Sequence, residues 1–294
     1  QRFALPQARI GKFRGKQVAL TEQLSSGIRL HKPSDDPLAT KKVAALQSEH
    51  RRVEQYTRNI DSARHLLHAS DNALGETSNS LFRIKEIGIQ GINGGLGAAD
   101  RGYLADEIAS LREHIHSLAN TRTNNRYIFG GYISTTPPYD NANAFVGDAN
   151  VTRYEVGDGE LVESTSRGGA AFGDGTAGTV DVFDNLIDLE AAIRNGNIGN
   201  GILPDMEDEL ERLETSIEQI IEVRQRVGLQ LNRLEGAETV ASYLKERLPD
   251  SISHLRDVDF PVAVSELQMV ENALQATLAA SSRLMKGASL LDYI

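Results

Sequence analysis

Adjacent carboxylates are the first place to look for acid–base chemistry, and Pro33-Ser34-Asp35-Asp36-Pro37 contains such a pair. A general acid and a general base need environments that differ, and two neighbouring side chains on one loop do not supply that difference. The next residue favours another reading. Asp36 before Pro37 has the form of a helix start: the carboxylate accepts an orphaned amide, proline has no amide to orphan, and negative charge suits that end of the dipole. Gly91-Ile92-Asn93-Gly94-Gly95-Leu96-Gly97 has the glycine density of a phosphate-binding loop. It lacks the following Lys-Ser/Thr, and no strand precedes it. It reads as a turn between helices, with Asp100 near the N-cap of the second.

His65 and His68 stand at i, i+3 on a predicted helix, a spacing that suits a metal. Asp61 and Asp71 are offset from that face, and His114 and His116 point apart, so structural or exposed histidines are expected. No serine sits in a Gly-x-Ser-x-Gly elbow. Zero Cys removes disulfides, thiolate zinc sites, iron–sulfur clusters and cysteine nucleophiles together. No catalytic constellation, cofactor site or metal site is expected, and the protein is not expected to be an enzyme.

The elements that remain are scaffolding. At 294 residues the chain has room for two domains, and with no Trp and three Met its interior must be mostly aliphatic. Its net charge of −10 argues against nucleic-acid binding by bulk phosphate attraction. No apolar run approaches the ~18 residues of a membrane span. Ile10, Phe13, Leu20 and Leu24 are too dispersed for the apolar core of a cleavable secretory signal.

Heptad-like stripes run through both flanks. One is Ile60, Ala63, Leu67, Ser70, Leu74, Thr77, Leu81, Ile84; another is Leu210, Leu213, Ile217, Ile220, Val227, Leu231, Leu234. The second skips Arg224, with Val223 beside it, which suggests a period between 3.5 and 3.6. Shorter stripes occupy the ends: Ile10, Phe13, Leu20 and Leu24, broken at Gln17, and Leu267, Val270, Leu274, Thr277, Ser281, Leu284, Ala288 and Leu291. They lie outside Pro33 and Pro261. An isolated amphipathic helix is marginal in water, so each implies a partner helix. Residues 1–32 carry seven Lys or Arg against one Glu, and residues 205–294 carry nine against seventeen acids. Either these are solvated faces, or the terminal helices pair with each other, within or between subunits.

The centre differs. Thirteen of the 26 Gly fall between Arg126 and Gly201, where Tyr127-Ile128-Phe129, Val151–Val156 and Leu161-Val162 read as short strands and Val182–Arg194 as a helix. The expected fold is mainly α with a β-rich insertion. A long antiparallel helical bundle or coiled coil, formed by the N- and C-terminal arms, carries a small distal α+β domain. Its parts are an N-terminal assembly helix (1–32), an N-terminal arm (33–125), the outer domain (126–203), a C-terminal arm (204–260) and a C-terminal assembly helix (261–294).

The run Gln23-Leu24-Ser25-Ser26-Gly27-Ile28-Arg29-Leu30-His31-Lys32-Pro33-Ser34-Asp35-Asp36-Pro37 closely resembles the N-terminal motif of the bacterial flagellin superfamily, in the variant of its hook-associated members. Asn125-Arg126-Tyr127-Ile128-Phe129-Gly130-Gly131 resembles the exit from the helical core in those members, and Ser289-Leu290-Leu291-Asp292-Tyr293-Ile294 resembles their C-terminus. The first twenty residues fit the family pattern loosely, and Ala142–Gly201 carries no familiar motif.

The resemblance implies a structural subunit of the bacterial flagellum: a junction adaptor between the hook-associated protein 1 zone and the flagellin filament. A small filament-forming flagellin is the alternative. It further implies export through the flagellar type III apparatus to an extracellular site at the hook–filament junction, and a homo-oligomeric ring. Hook-associated protein 1 and flagellin would be its neighbours. A cytoplasmic export chaperone would bind the C-terminal helix before export. No nucleic acid or membrane is among the partners. Ordering of the terminal helices would be coupled to assembly. Ile10, Phe13, Leu20, Leu24, Leu267, Val270, Leu274, Leu284 and Leu291 would form the subunit contacts, and Ser26, Gly27, Arg29, Pro33, Ser34, Asp35, Asp36 and Pro37 the family motif and helix cap.

Overall fold

The computed structural model describes residues 4–92, 95–175, 178–199 and 204–291, except the side chains of 4–7 and 283–291. The chain forms two compact units, one from 1–52 with 244–294 and one from 53–243. Two long helices, α2 (Pro37–Ile92) and α6 (Met206–Arg256), contribute to both. Most of the chain is helical, and the described residues form two small strand pairs.

In the 53–243 unit the two long stripes form the core. Ile60, Ala63, Leu67, Ser70, Leu74, Thr77, Leu81 and Ile84 are all buried, as are Leu213, Ile217, Ile220, Val227 and Leu234. The stripe's hydroxyls cost little to bury, because Ser70 Oγ donates to Leu66 O (3.0 Å) and Thr77 Oγ1 to Ala73 O (2.8 Å). Ion pairs fix an antiparallel register: Arg64 with Glu238 (Nη1–Oε1 3.1 Å), Asp71 with Arg224 (2.8 Å) and Lys85 with Glu214 (2.7 Å). Each such partly exposed pair contributes ~0–1 kcal/mol, whereas one buried Leu or Ile contributes roughly 1.5–3. The stripe therefore supplies the stability and the charges select the register.

Arg224 explains the skipped heptad position. Its side chain leaves the core to Val223 and lies over Gly75, 3.4 Å from where a Cβ would be. Gly88 has a related reason: a Cβ there would meet Leu210 Cδ2 at 2.5 Å, so glycine lets the helices approach closely. The ~1 kcal/mol such a glycine costs inside a helix is offset by that packing.

A third helix, α3 (Ala98–Ala119), packs on α5 (Val182–Asn195), with Arg112–Glu190 at 3.3 Å and Arg194–Asp106 at 2.8 Å. The N-cap of α3 is Gly97, and Asp100 falls in the first turn without a capping bond. Asp181 caps α5, its Oδ1 accepting from the Phe183 and Asp184 amides. Strands β1 (Arg122–Thr123) and β2 (Arg126–Tyr127) flank an Asn124-Asn125 turn with both φ positive. The strand expected over 127–129 stops at Tyr127, because Ile128 and Phe129 turn into the core. Strands β3 (Arg153–Gly157) and β4 (Glu160–Glu163) form an antiparallel hairpin with Tyr154 opposite Val162. Asn59 of α2 tethers it by donating to Glu155 O at 2.7 Å.

One short helix, α4 (Gly168–Phe172), has no stripe to announce it. It lies against Phe129, whose carbonyl would meet a Cβ on Gly168 at 2.5 Å. Phe129, Tyr139, Phe172 and Phe183 form a buried aromatic cluster with ring centroids 5.1–6.2 Å apart.

In the other unit, α1 (Ala4–Ser26) packs on α7 (Phe260–Leu291). Asp259 starts α7, accepting from the Val262 amide at 3.2 Å, and Pro261 lies in the first turn, where a missing amide does no harm.

Candidate assembly site: the terminal helix pair and its joint

The basic N-terminal stripe and the acidic C-terminal stripe meet each other. Lys16 Nζ lies 3.1 Å from Glu266 Oε2, and Gln17, the residue that interrupts the apolar stripe, donates to Glu271 at 3.3 Å. These contacts, with the antiparallel bridge between Ile28 and Asp257, set α1 and α7 antiparallel. Leu20 and Val270 are buried, while Ile10, Phe13, Leu24, Leu267 and Leu274 are half-buried. The side chains of Leu284 and Leu291 lie outside the described residues. The pair leaves an apolar exterior: Val18, Phe260, Val262, Val264, Met269 and Leu278 are all exposed.

The motif residues build the joint between α1 and α2. Gly27 sits at φ +73, a left-handed turn that ends α1 without the strain a side chain would bring. Ser26 Oγ donates to Glu22 O (2.8 Å), accepts from the Ile28 amide (3.2 Å) and lies 2.9 Å from His31 Nε2. Asp35 accepts from the amides of His31 and Lys32, and Pro33 and Ser34 form the exposed bend between. Asp36 caps α2 as expected, accepting from the Ala39 amide at 3.0 Å with Pro37 in first place. That amide, with Arg29 adding to it, holds the Asp36 carboxyl below its ordinary value.

Arg29 faces two ways, its Nη1 at 3.6 Å from Asp36 Oδ2 and its Nη2 donating to Leu255 O at 2.9 Å. The far half of this joint, Leu255 to Val258, was not anticipated from sequence. Asp257 accepts from Ser253 Oγ at 2.6 Å and from Arg256 at 2.8 Å, and these two bonds hold its carboxyl below the usual range. The Asp259–Pro261 start of α7 was a readable signal for it.

The histidine pair finds other surroundings. His65 and His68 are exposed, Asp71 is engaged by Arg224, and among the described residues no three His, Asp or Glu gather as a metal site. His116 Nε2 lies 2.8 Å from Asp140 O. Among the described residues, no helix is long and apolar enough to cross a membrane.

The sequence profile of the bacterial flagellin N-terminal helical region matches residues 7–134, and that of the bacterial flagellin C-terminal helical region matches residues 210–294. The chain belongs to the bacterial flagellin superfamily. The two matched regions hold both halves of the joint. Flagellar hook-associated protein 3 of Escherichia coli is 30% identical over 92% of this chain and 90% of its own length. Flagellin of Bacillus subtilis is 27% identical over 89% of this chain and 88% of its own. The solved flagellar junction protein FlgL of Legionella pneumophila shares the fold, with a TM-score of 0.58 at 17% identity over 73% of this chain and 99% of that one. Flagellins and hook-associated proteins are structural components of the flagellum, and motility is the process this flagellin-superfamily chain serves.

Proposed function

We infer that this chain is the junction subunit between the hook-associated protein 1 zone and the flagellin filament, and that it works as a homo-oligomeric ring. The observation that carries the reading is the terminal pair. Two helices from opposite ends of the chain are joined antiparallel, yet apolar side chains such as Phe260 (52% exposed), Val262 (54%) and Met269 (61%) remain outside. A two-helix pair cannot cover that surface itself, and neighbouring subunits can. The stripe residues Ile10, Phe13, Leu20, Leu24, Leu267, Val270, Leu274, Leu284 and Leu291 then order the pair within a tube, and segments 1–32 and 261–294 are the assembly helices. The chain reaches that place through the flagellar export apparatus, with a chaperone on the C-terminal helix beforehand. The likeness to hook-associated protein 3 over nine-tenths of both chains supports the junction; the Bacillus flagellin supports a small filament subunit as the second reading.

Removing residues 1–24 or 265–294 should leave the 53–243 unit helical and abolish incorporation into flagella. Immunogold labelling should mark a single band at the distal end of the hook, and a deletion strain should release flagellin monomers into the medium. Labelling along the whole filament would favour the second reading. Normal motility with only the truncated chain would overturn both.

A further inference from the structure

A cavity of about 210 Å³ opens within the 53–243 unit, between α2, the β1–β2 hairpin and β3, and no residue of the terminal helix pair or its joint lines it. Among the described residues no Asp or Glu lines it, although the chain carries 41. Arg126 brings a fixed positive charge, and His65 adds a ring N–H from α2. The nearby carboxylate, Asp148 beside Gly131, is already occupied by the Tyr132 and Asn150 amides at 3.1 and 2.8 Å.

The hydroxyls around Arg126 are set up as donors. Ser134, 8% exposed, accepts from Arg126 Nε at 3.0 Å through its Oγ, and Thr165 Oγ1 accepts from the Thr152 amide at 2.9 Å. A hydroxyl that accepts from an N–H keeps its own hydrogen to give elsewhere. Arg126 Nη1 and Nη2, and the hydroxyls of Thr152, Tyr127 and Tyr154, take no partner among the described residues. With Nε engaged by Ser134, the guanidinium presents its two Nη ends, whose N–H groups are spaced for the two oxygens of one carboxylate. Tyr127, with Arg122 over its ring at 5.8 Å, and Tyr154 add half-buried aromatic surface.

We propose that this cleft binds a sugar acid of hexuronate size. The carboxylate lies on the Nη pair of Arg126, ring hydroxyls meet Ser134, Thr152 and Thr165, and the C–H face of the ring lies on the tyrosines. The cavity is about seven times the ~30 Å³ share of one water. That is below the roughly 300–1,000 Å³ of a site for a drug-sized ligand, and it suits a single sugar ring. Binding here is independent of assembly into a flagellum, so the two ideas fail by different results.

Calorimetric titration of the full-length chain with glucuronate tests this, with glucose, acetate and inorganic phosphate as separate arms. Glucuronate should bind saturably and about tenfold more tightly than glucose, which has the ring without the carboxylate, or acetate, which has the carboxylate without the ring. Arg126→Ala should weaken glucuronate binding about tenfold or more. Arg126→Lys keeps the charge without the two-armed fork and should fall between. Thr152→Val removes a hydroxyl that has no protein partner, so its melting curve should match the wild type while binding weakens about threefold. Arg167→Ala, at an exposed residue outside the cleft, should leave binding unchanged. No saturable binding of glucuronate, equal binding of glucose, or tighter binding of phosphate would each overturn the proposal. So would binding that survives both Arg126→Ala and Thr152→Val unchanged.

Discussion

Tyr139 offers a test of the aromatic core in which two effects of one hydroxyl oppose each other. The side chain is 1% exposed, and its Oη donates toward Gly173 O at 2.8 Å and Gly168 O at 3.0 Å, the two ends of α4. Tyr139→Phe keeps the ring and its packing on Phe145, Phe172 and Phe183 at 5.1–5.7 Å, so no cavity opens. What is lost is a buried hydrogen bond, about 1.5 kcal/mol. For a unit of this size that corresponds to roughly 3–6 °C in melting temperature. At high pH the sign reverses. Burial, with the nearby Asp181 and Asp174 adding to it, pushes the phenol above its ordinary value. A group whose folded pKa is raised contributes stability below its unfolded pKa and loses it as pH rises. From about pH 10 the unfolded wild type therefore gains stability that the variant does not, at about 1.4 kcal/mol per pH unit. Urea titrations followed by circular dichroism should show the variant less stable at pH 7 and the gap closing near pH 11. A gap that stays constant from pH 7 to 11, or no gap at pH 7, would refute the assignment of a donating, buried hydroxyl.

Leu74→Ala, at a position with no exposure between α2 and α6, should cost about 2–5 kcal/mol in urea unfolding, whereas Lys85→Ala should cost under about 1; equal losses would contradict the division between stripe and ion pairs. Asp36→Ala should speed exchange of the Ala39 amide at neutral pH. Because the folded carboxyl is held below its ordinary value, the wild-type advantage should fade as pH falls through that lowered value, and a difference that grows in acid would count against the cap.

The parts of this fold that sequence revealed are those whose cause is local. Asp36-Pro37 announces a helix start because the cap bonds an amide three residues on, and Ile60 to Ile84 announces a buried face because seven-residue spacing is itself the geometry of helix packing. Even the flaw at Arg224 was visible, though its reason, a glycine at position 75 on the facing helix, was not. Helix α4 and the turn of Phe129 into the core were hidden for a different cause. Four of the aromatic residues there pack on one another across distant loops, and no period records that. The assembly site divides along the same line. The opposite charges of the two ends hinted that α1 and α7 would meet, since Lys16 and Glu266 carry their complementarity in side-chain type. Arg29, although conspicuous within its motif, binds the carbonyl of Leu255, and its own backbone amide bonds the carbonyl of Arg256. A backbone acceptor is the same for every residue type and leaves no mark at its own position. A motif arginine on a loop between two helices therefore poses a question that only the fold can answer, because the group it serves has no sequence signature to match.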